Sequence, residues 1–380
     1  MIKIITVYKE NPTEKDVNYG IFNPIDMSNG RWIKISDALS RLGYEIDIAI
    51  PDSTLTNLNG NGHLNTIQLS KVNWDDYDIV KTEFHLGFDT LEKYGGTSHP
   101  FIISKLGSVV GLKEMDGIYF YGDMHKKLLA TQEKINNTSK YITVLSKPAE
   151  KLWEDTYGIK NNILHVPGAV DSLIPSPVKN PYNSDNKIKV IFAGNVYTKS
   201  SQPEANYVLV KKLNELGKWL SKLGAKLYMI GPGDISLLDQ EYVNYLGVIP
   251  FNNSWDYFYF ANVGVVVSAG KFMHNNESTK IYHYLRSGLP VVSEAGFPND
   301  NVIEESGLGY VSENGDMELM AENIIEAANN NWNKEKAVNY ILQNHTWDER
   351  VKVYDKIIRE HFGYKINSKQ STYKKVNMAN

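Results

Sequence analysis

Cysteine is absent from the chain, which excludes disulfides, thiolate chemistry and Cys-ligated zinc and fits a reducing compartment. An excess of one charge is lacking too: 40 Lys and Arg stand against 44 Asp and Glu, a formal net charge of -4, with no large single-sign block. Bulk electrostatics therefore give no reason to expect a nucleic-acid partner, and an anionic ligand has to be met locally. Long apolar runs are also missing. VGVVV at 263–267 is among the longest and falls far short of a membrane span, while the opening MIKIITVYKE alternates like a first strand and lacks the apolar region of a signal peptide. The expectation is a cytoplasmic chain with no transmembrane segment, for which peripheral contact with a membrane remains open.

What the chain does contain is an alternation of strand-like and helix-like segments over 380 residues, long enough for two domains and a cleft between them. IKIITVY (2–8) reads as a strand, and RWIKISDALSRL (31–42) follows a polar loop with Trp32, Ile35, Leu39 and Leu42 on one helical stripe. Gly43 stops that helix and YEIDIAI (44–50) resumes the strand period. DIVKTEF (78–84), FIISKL (101–106), YITVLS (141–146) and ILHVPGA (163–169) continue the series, which predicts one α/β domain over residues 1–171. Residues 172–187 hold Pro175, Pro177 and Pro181 among polar residues and read as a linker. A second series from KVIFAGN (189–195) to PVVSEAG (290–296) predicts another α/β domain over 188–346. A last helix near 347–362 returns to the first domain, with Trp347, Val351, Tyr354 and Ile358 on one side, and 364–380 is polar enough for a disordered tail.

The stretch ESTKIYHYLRSGLPVVS (277–293) is the richest in chemistry. Ser278 suits a helix N-cap, Gly288 a left-handed stop, and Ile281 and Leu285 form a packing face. Lys280, His283 and Ser287 share a polar face that the reading leaves open to a ligand. The N–H groups of Ser278, Thr279 and Lys280, the helix dipole and the Lys280 ammonium together make an anion site that a phosphate would fit. GPGD (231–234) permits close backbone approach at a strand end. In WDDYD (74–78), Asp76 and Asp78 have the Asp-x-Asp spacing of a metal-binding motif, but they lead into a strand and read as a solvated turn.

Several of these segments, in their order, resemble GT-B glycosyltransferases of the family 4, group 1 type. The run TKIYHYLRSGLPVVS resembles their nucleotide-sugar site, NGRWIKISDALSRLGYEIDIAIP their first helix and second strand, and SKPAEKLWEDTYGIKNNILHVPGAVD the end of their first domain. KVIFAGN resembles the first strand of their second domain, and TWDERVKVYDKII the helix that returns to the first. The resemblance implies two Rossmann-like domains facing each other across a cleft, with a UDP- or GDP-sugar as co-substrate and no resident cofactor or metal. It implies transfer of the sugar to a carbohydrate or glycoconjugate acceptor, lipid-linked acceptors included. Lys280 would meet the diphosphate, Gly194, Asn195 and Lys199 would face the phosphates, and backbone groups of Val248 to Phe251, Ile249 among them, would meet the base.

Departures from the pattern are specific. The ribose-binding carboxylate of the family stands at the position of His283, and its partner glutamate at Asn275, although Glu277 is near enough to reach the sugar. Where the family carries His-Gly after a strand of the first domain, this chain has Leu106-Gly107. The nearest polar residues are Lys105, Ser108, Asp123 and His125, with His85 after the preceding strand. Lys105, Asp123 and His85 are the catalytic candidates, and no base can be chosen among them. Two other readings stand beside transfer: an epimerase or hydrolase of the same fold, or a nucleotide-sugar-binding protein without catalysis.

Overall fold

The computed structural model describes residues 1–7, 27–50, 52, 64–112, 122–200, 202–250 and 253–363. Tyr8, most of the polar loop after it, Phe251 and the 364–380 tail lie outside the described residues. Two parallel sheets organise the chain. The first takes β1 (Lys3–Val7), β2 (Glu45–Ile50), β3 (Asn65–Gln68), β4 (Ile79–Glu83), β5 (Ile102–Lys105), β6 (Tyr141–Val144) and β7 (Ile163–His165) in the order β3-β2-β1-β4-β5-β6-β7. The second takes β8 (Ile188–Ala193), β9 (Ala225–Ile230), β10 (Val243–Tyr245), β11 (Val263–Val266), β12 (Val291–Glu294) and β13 (Gly309–Ser312) in the order β10-β9-β8-β11-β12-β13. Each sheet starts at its centre, winds outward one way, then jumps back to wind the other way. In such sheets, ligands bind at the carboxyl ends of the strands where the winding reverses. That point lies between β1 and β4 in the first sheet and between β8 and β11 in the second.

Helices cover both faces, so the central strands are buried on both sides and read as near-continuous apolar runs. In β1, Ile4 pairs in register with Ile46 on one side and Ile79 on the other. Trp347, Val351, Tyr354 and Ile358 of the last helix (Trp347–Phe362) join Ile35 and Leu39 of the first (Met27–Arg41) in the core of the first sheet. Gly309 shows why the second sheet closes tightly, since a Cβ there would lie 1.9 Å from the Val291 carbonyl oxygen.

The segment 78–84 is shorter as a strand than its apolar pattern predicts. β4 ends at Glu83, and Phe84, at φ 58, turns directly into the helix Phe84–Lys93. That left-handed conformation is costly for a bulky residue, and it places the ring at the carboxyl end of the sheet.

Candidate active site

At the switch point of the second sheet, Gly194 follows β8, and the helix Thr279–Arg286 follows β11 after a connection that contains the short 3-10 helix Lys271–Asn275. They enclose a cavity of about 230 Å³ whose walls include Gly194, Asn195, Ile249, Thr279, Lys280 and His283. Six residues scattered over 90 positions of sequence are thus brought to one site. The Lys280 side chain runs across Gly194: a Cβ on that glycine would stand 2.4 Å from Lys280 Cε and 2.9 Å from Nζ. The ammonium lies 5.2 Å from the centre of the Phe192 ring. Gly231, at φ 134, is needed for the same reason, because a Cβ would meet the Gly194 carbonyl oxygen at 2.2 Å. Asn195 Oδ1 accepts from the Tyr197 N–H at 2.8 Å, which turns the loop and holds Tyr197 at φ 61 on the cavity wall.

The helix that carries Lys280 departs from its expected form. Ser278 is the N-cap residue, yet its side chain makes no capping bond. Asn299 does the holding, its Oδ1 accepting from the Ser278 N–H at 2.9 Å while its amide donates to the Ser278 carbonyl at 3.0 Å. The Ser278 N–H is therefore taken, and the anion-facing end starts at Thr279. The buried Ser278 Oγ has no hydrogen-bond partner among the described residues. The face of His283 is not open to water either: Tyr282, His283 and Arg286 are all buried. The spacing put Lys280, His283 and Ser287 on one polar face left open to a ligand, but the segment linking the sheets packs against this helix, with Arg286 donating to the Leu173 carbonyl at 2.5 Å. Ser287 turns inward to the Tyr284 carbonyl at 2.7 Å. Burial, with Arg286 and Lys34 adding to it, pushes the His283 imidazole down to about 3, so it is neutral at ordinary pH.

Lys199 does not reach the cavity. Its ammonium meets Ser236 Oγ at 2.5 Å, because the chain after Tyr197 turns outward. Glu277 faces the hinge: Oε2 accepts from the Gly168 N–H at 2.5 Å and Oε1 from the Tyr282 hydroxyl at 2.9 Å. Burial raises its pKa, and those donors together with Arg31 and Arg350 oppose the rise. Arg350 in turn donates to the Gly168 carbonyl at 2.9 Å.

A second cavity of about 560 Å³ lies between the two lobes, and Tyr197 and Thr279 line both. Lys105, His85 and Ser108 reach it. Asp123 does not, since its carboxylate is fully exposed beside Lys126 at 3.8 Å. His125 is tied to the Gly111 carbonyl at 2.8 Å. His85 shares a 3.1 Å hydrogen bond with Gln132, and burial holds it neutral. Lys105 sits 3.8 Å from Glu83, which is also paired with Lys81, and burial lowers both lysines far below their ordinary range. The Phe84 ring covers Lys105 at 3.8 Å.

Asp76 and Asp78 lie at the opposite, amino end of the strands, where β4 begins. Asp76 accepts from Asn73 at 2.9 Å and Asp78 from the Lys3 N–H at 2.8 Å, as turn and strand-start residues do. No group of side chains suited to hold a metal is found among the described residues.

Sequence reasoning passed over Tyr197, Asn299 and Phe84. Asn195 two residues before Tyr197 was a usable signal, because Asn accepts hydrogen bonds from the backbone two positions on. Nothing local marks Asn299 or Phe84.

No protein-family model matches the chain, and no curated protein matches its sequence. Solved structures do match. Sucrose-phosphate synthase from Thermosynechococcus elongatus aligns with 96% of this chain and 100% of its own at TM-score 0.68 and 13% identity. HepE from Anabaena, solved with UDP and with UDP and glucose, aligns over 96% and 100% at TM-score 0.63 and 11% identity. WaaG, a glycosyltransferase involved in lipopolysaccharide biosynthesis, aligns over 94% and 99% at TM-score 0.58 and 13% identity. Two doubly wound parallel sheets flanking one cleft, shared with these proteins over nearly the whole chain, give this chain the GT-B fold.

Proposed function

We propose that the protein is a glycosyltransferase that binds a nucleoside-diphosphate sugar at the second sheet and an acceptor in the cleft. The observation that carries this reading is the placement of Lys280 at the N-terminus of a buried helix, aimed across Gly194 at the switch point, with His283 one turn further along the same cavity. A helix N-terminus and an ammonium favour a diphosphate, and a neutral imidazole can both donate to and accept from ribose hydroxyls. UDP in the HepE structures supports UDP as the nucleotide to try first.

In the reaction, the acceptor oxygen bonds to the anomeric carbon as the bond from that carbon to the diphosphate breaks. The diphosphate leaves with the electron pair, and the acceptor proton passes to solvent. Lys280 and the helix end meet the charge that develops on the diphosphate, which makes the step independent of a divalent metal.

Calorimetry with UDP on the wild type and on Lys280→Ala tests the donor site. Loss of a charged hydrogen bond should weaken binding by about 1.5–3 kcal/mol, and uridine should bind both proteins alike. A Lys280→Ala protein that is folded and binds UDP normally would place the donor elsewhere. Release of free sugar or epimerised sugar without transfer, read by mass spectrometry over a panel of acceptors, would favour a hydrolase or epimerase.

A further inference from the structure

The interlobe cavity has the wrong lining for a purely polar acceptor. Its described walls include Phe84, Leu86, Met124, Leu128, Leu145 and Met273, while several of the polar side chains that reach it are engaged within the protein, with Asn276 Oδ1 and Arg31 Nε left without a partner among the described residues. His85 is bonded to Gln132, Ser108 to Asn276 at 3.1 Å, and Glu277 to the hinge. Arg31 donates to the carbonyls of Val166 and Pro167 at 2.5 and 2.7 Å. A sugar site needs several polar groups aimed inward to replace the water that the hydroxyls lose.

The apolar lining is arranged to stay. Phe84 takes a left-handed conformation, and its ring lies where a Cβ on Gly107 would come within 2.6 Å, so that glycine leaves room for it. The ring also packs on the Lys105 ammonium at 3.8 Å, so that this lysine meets an aromatic face where it reaches the cavity. Leu86 is 49% exposed and Met124 54% exposed, so the apolar lining runs out of the cleft onto the surface. Exposed apolar groups continuous with a cleft mark a binding surface, and methionine and leucine adapt to a flexible occupant.

We propose that this cavity holds the hydrocarbon chain of an amphipathic acceptor, with the acceptor hydroxyl directed toward Thr279 and the chain leaving past Leu86 and Met124. The proposal rests on the donor reading for its orientation, because Thr279 and Tyr197 line both cavities.

A ladder of methyl, butyl, hexyl and octyl β-glucosides, each below its micelle concentration and with UDP present, tests it through the emission of Trp347, which lines the cavity. Affinity should rise by up to about fourfold per methylene, the equivalent of burying one such group. Leu86→Asp and Met124→Asp should each flatten the ladder. Leu223→Asp, at an exposed leucine outside the lining, should leave it unchanged. Equal binding of all four glucosides, or a ladder that Leu86→Asp and Met124→Asp leave intact, would overturn the proposal. So would a flat alkyl ladder beside tight binding of phenyl β-glucoside, which points to an aromatic acceptor. If UDP failed to bind while the ladder persisted, the donor reading would fall and the apolar site would stand.

Discussion

His283 gives the sharpest test of the structure because its charge state ties the helix to the stability of the whole second lobe. An imidazole ordinarily titrates at 6.5, and burial pushes this one down to about 3. The folded protein therefore binds fewer protons at this site than the unfolded chain once the pH falls below 6.5. Stability contributed by the neutral form is fully present above that value and is lost as pH falls toward 3. The difference between the two titrations amounts to about 2 kcal/mol between pH 8 and pH 5, at 1.36 kcal/mol per unit.

His283→Gln keeps a donor and an acceptor but does not titrate, so the comparison isolates this term from every other ionising group. Urea unfolding at pH 8 and pH 5, followed through tryptophan emission, should show the wild type losing about 2 kcal/mol more than the variant. Trp255 is a suitable reporter, since the Arg286 guanidinium lies 4.8 Å from its ring and the same helix carries His283. Parallel losses in the two proteins would mean that the imidazole is hydrated and that the helix is open on this face. UDP affinity, by the same reasoning, should show no contribution from His283 titration between pH 5.5 and 8.

Other substitutions have defined outcomes. Gly194→Ala should weaken UDP binding in the direction of Lys280→Ala with little change in unfolding, because its Cβ would displace the Lys280 side chain. Asp78→Asn should cost about 1 kcal/mol of stability through the weakened bond to the Lys3 N–H. Sugar transfer should persist in that variant and in excess EDTA, and restoration of lost transfer by manganese would contradict the metal-free mechanism. Glu277→Gln should destabilise the protein by about 1.5–3 kcal/mol in urea unfolding, since it removes the charge that accepts from the Gly168 N–H and the Tyr282 hydroxyl. A variant as stable as the wild type would show that the hinge does not depend on that charge.

Much of the fold was legible because parallel strands and their covering helices obey different periods. Ile4, Ile46 and Ile79 occupy one register row, and Trp347 to Ile358 form one stripe. The meeting of Lys280 with Gly194 at one cavity and the left-handed stop at Gly288 were legible from local sequence. The other errors have one cause. Spacing put His283 and Ser287 on an open polar face, but His283 is buried, and the neighbouring Arg286 is held by chain more than 100 residues earlier, at Leu173. Lys199 was placed by nearness in sequence, whereas the outward turn after Tyr197 carries it to Ser236. Phe84 looked like one more strand residue, and only the packed Gly107 shows why the strand stops before it.

The same long-range contacts explain how the site differs in charge from the glycosyltransferase pattern it resembles. A carboxylate beside the ribose would sit where His283 is enclosed by Arg286 and the linker, and a second would sit at Asn275, whose carbonyl accepts from Ser146 of the first lobe at 2.7 Å. Both positions here are neutral, and the nearby carboxylate, Glu277, lies at the crossing between lobes. There it joins the residue just before the donor helix to Gly168, which Arg350 of the last helix also grips. The cavity at the switch point of the second sheet keeps Lys280 and a helix N-terminus in its walls, a combination that favours an anion. One short segment, Glu277 to Lys280, thus contacts the first lobe through Gly168 and also lines the cavity at the switch point of the second sheet.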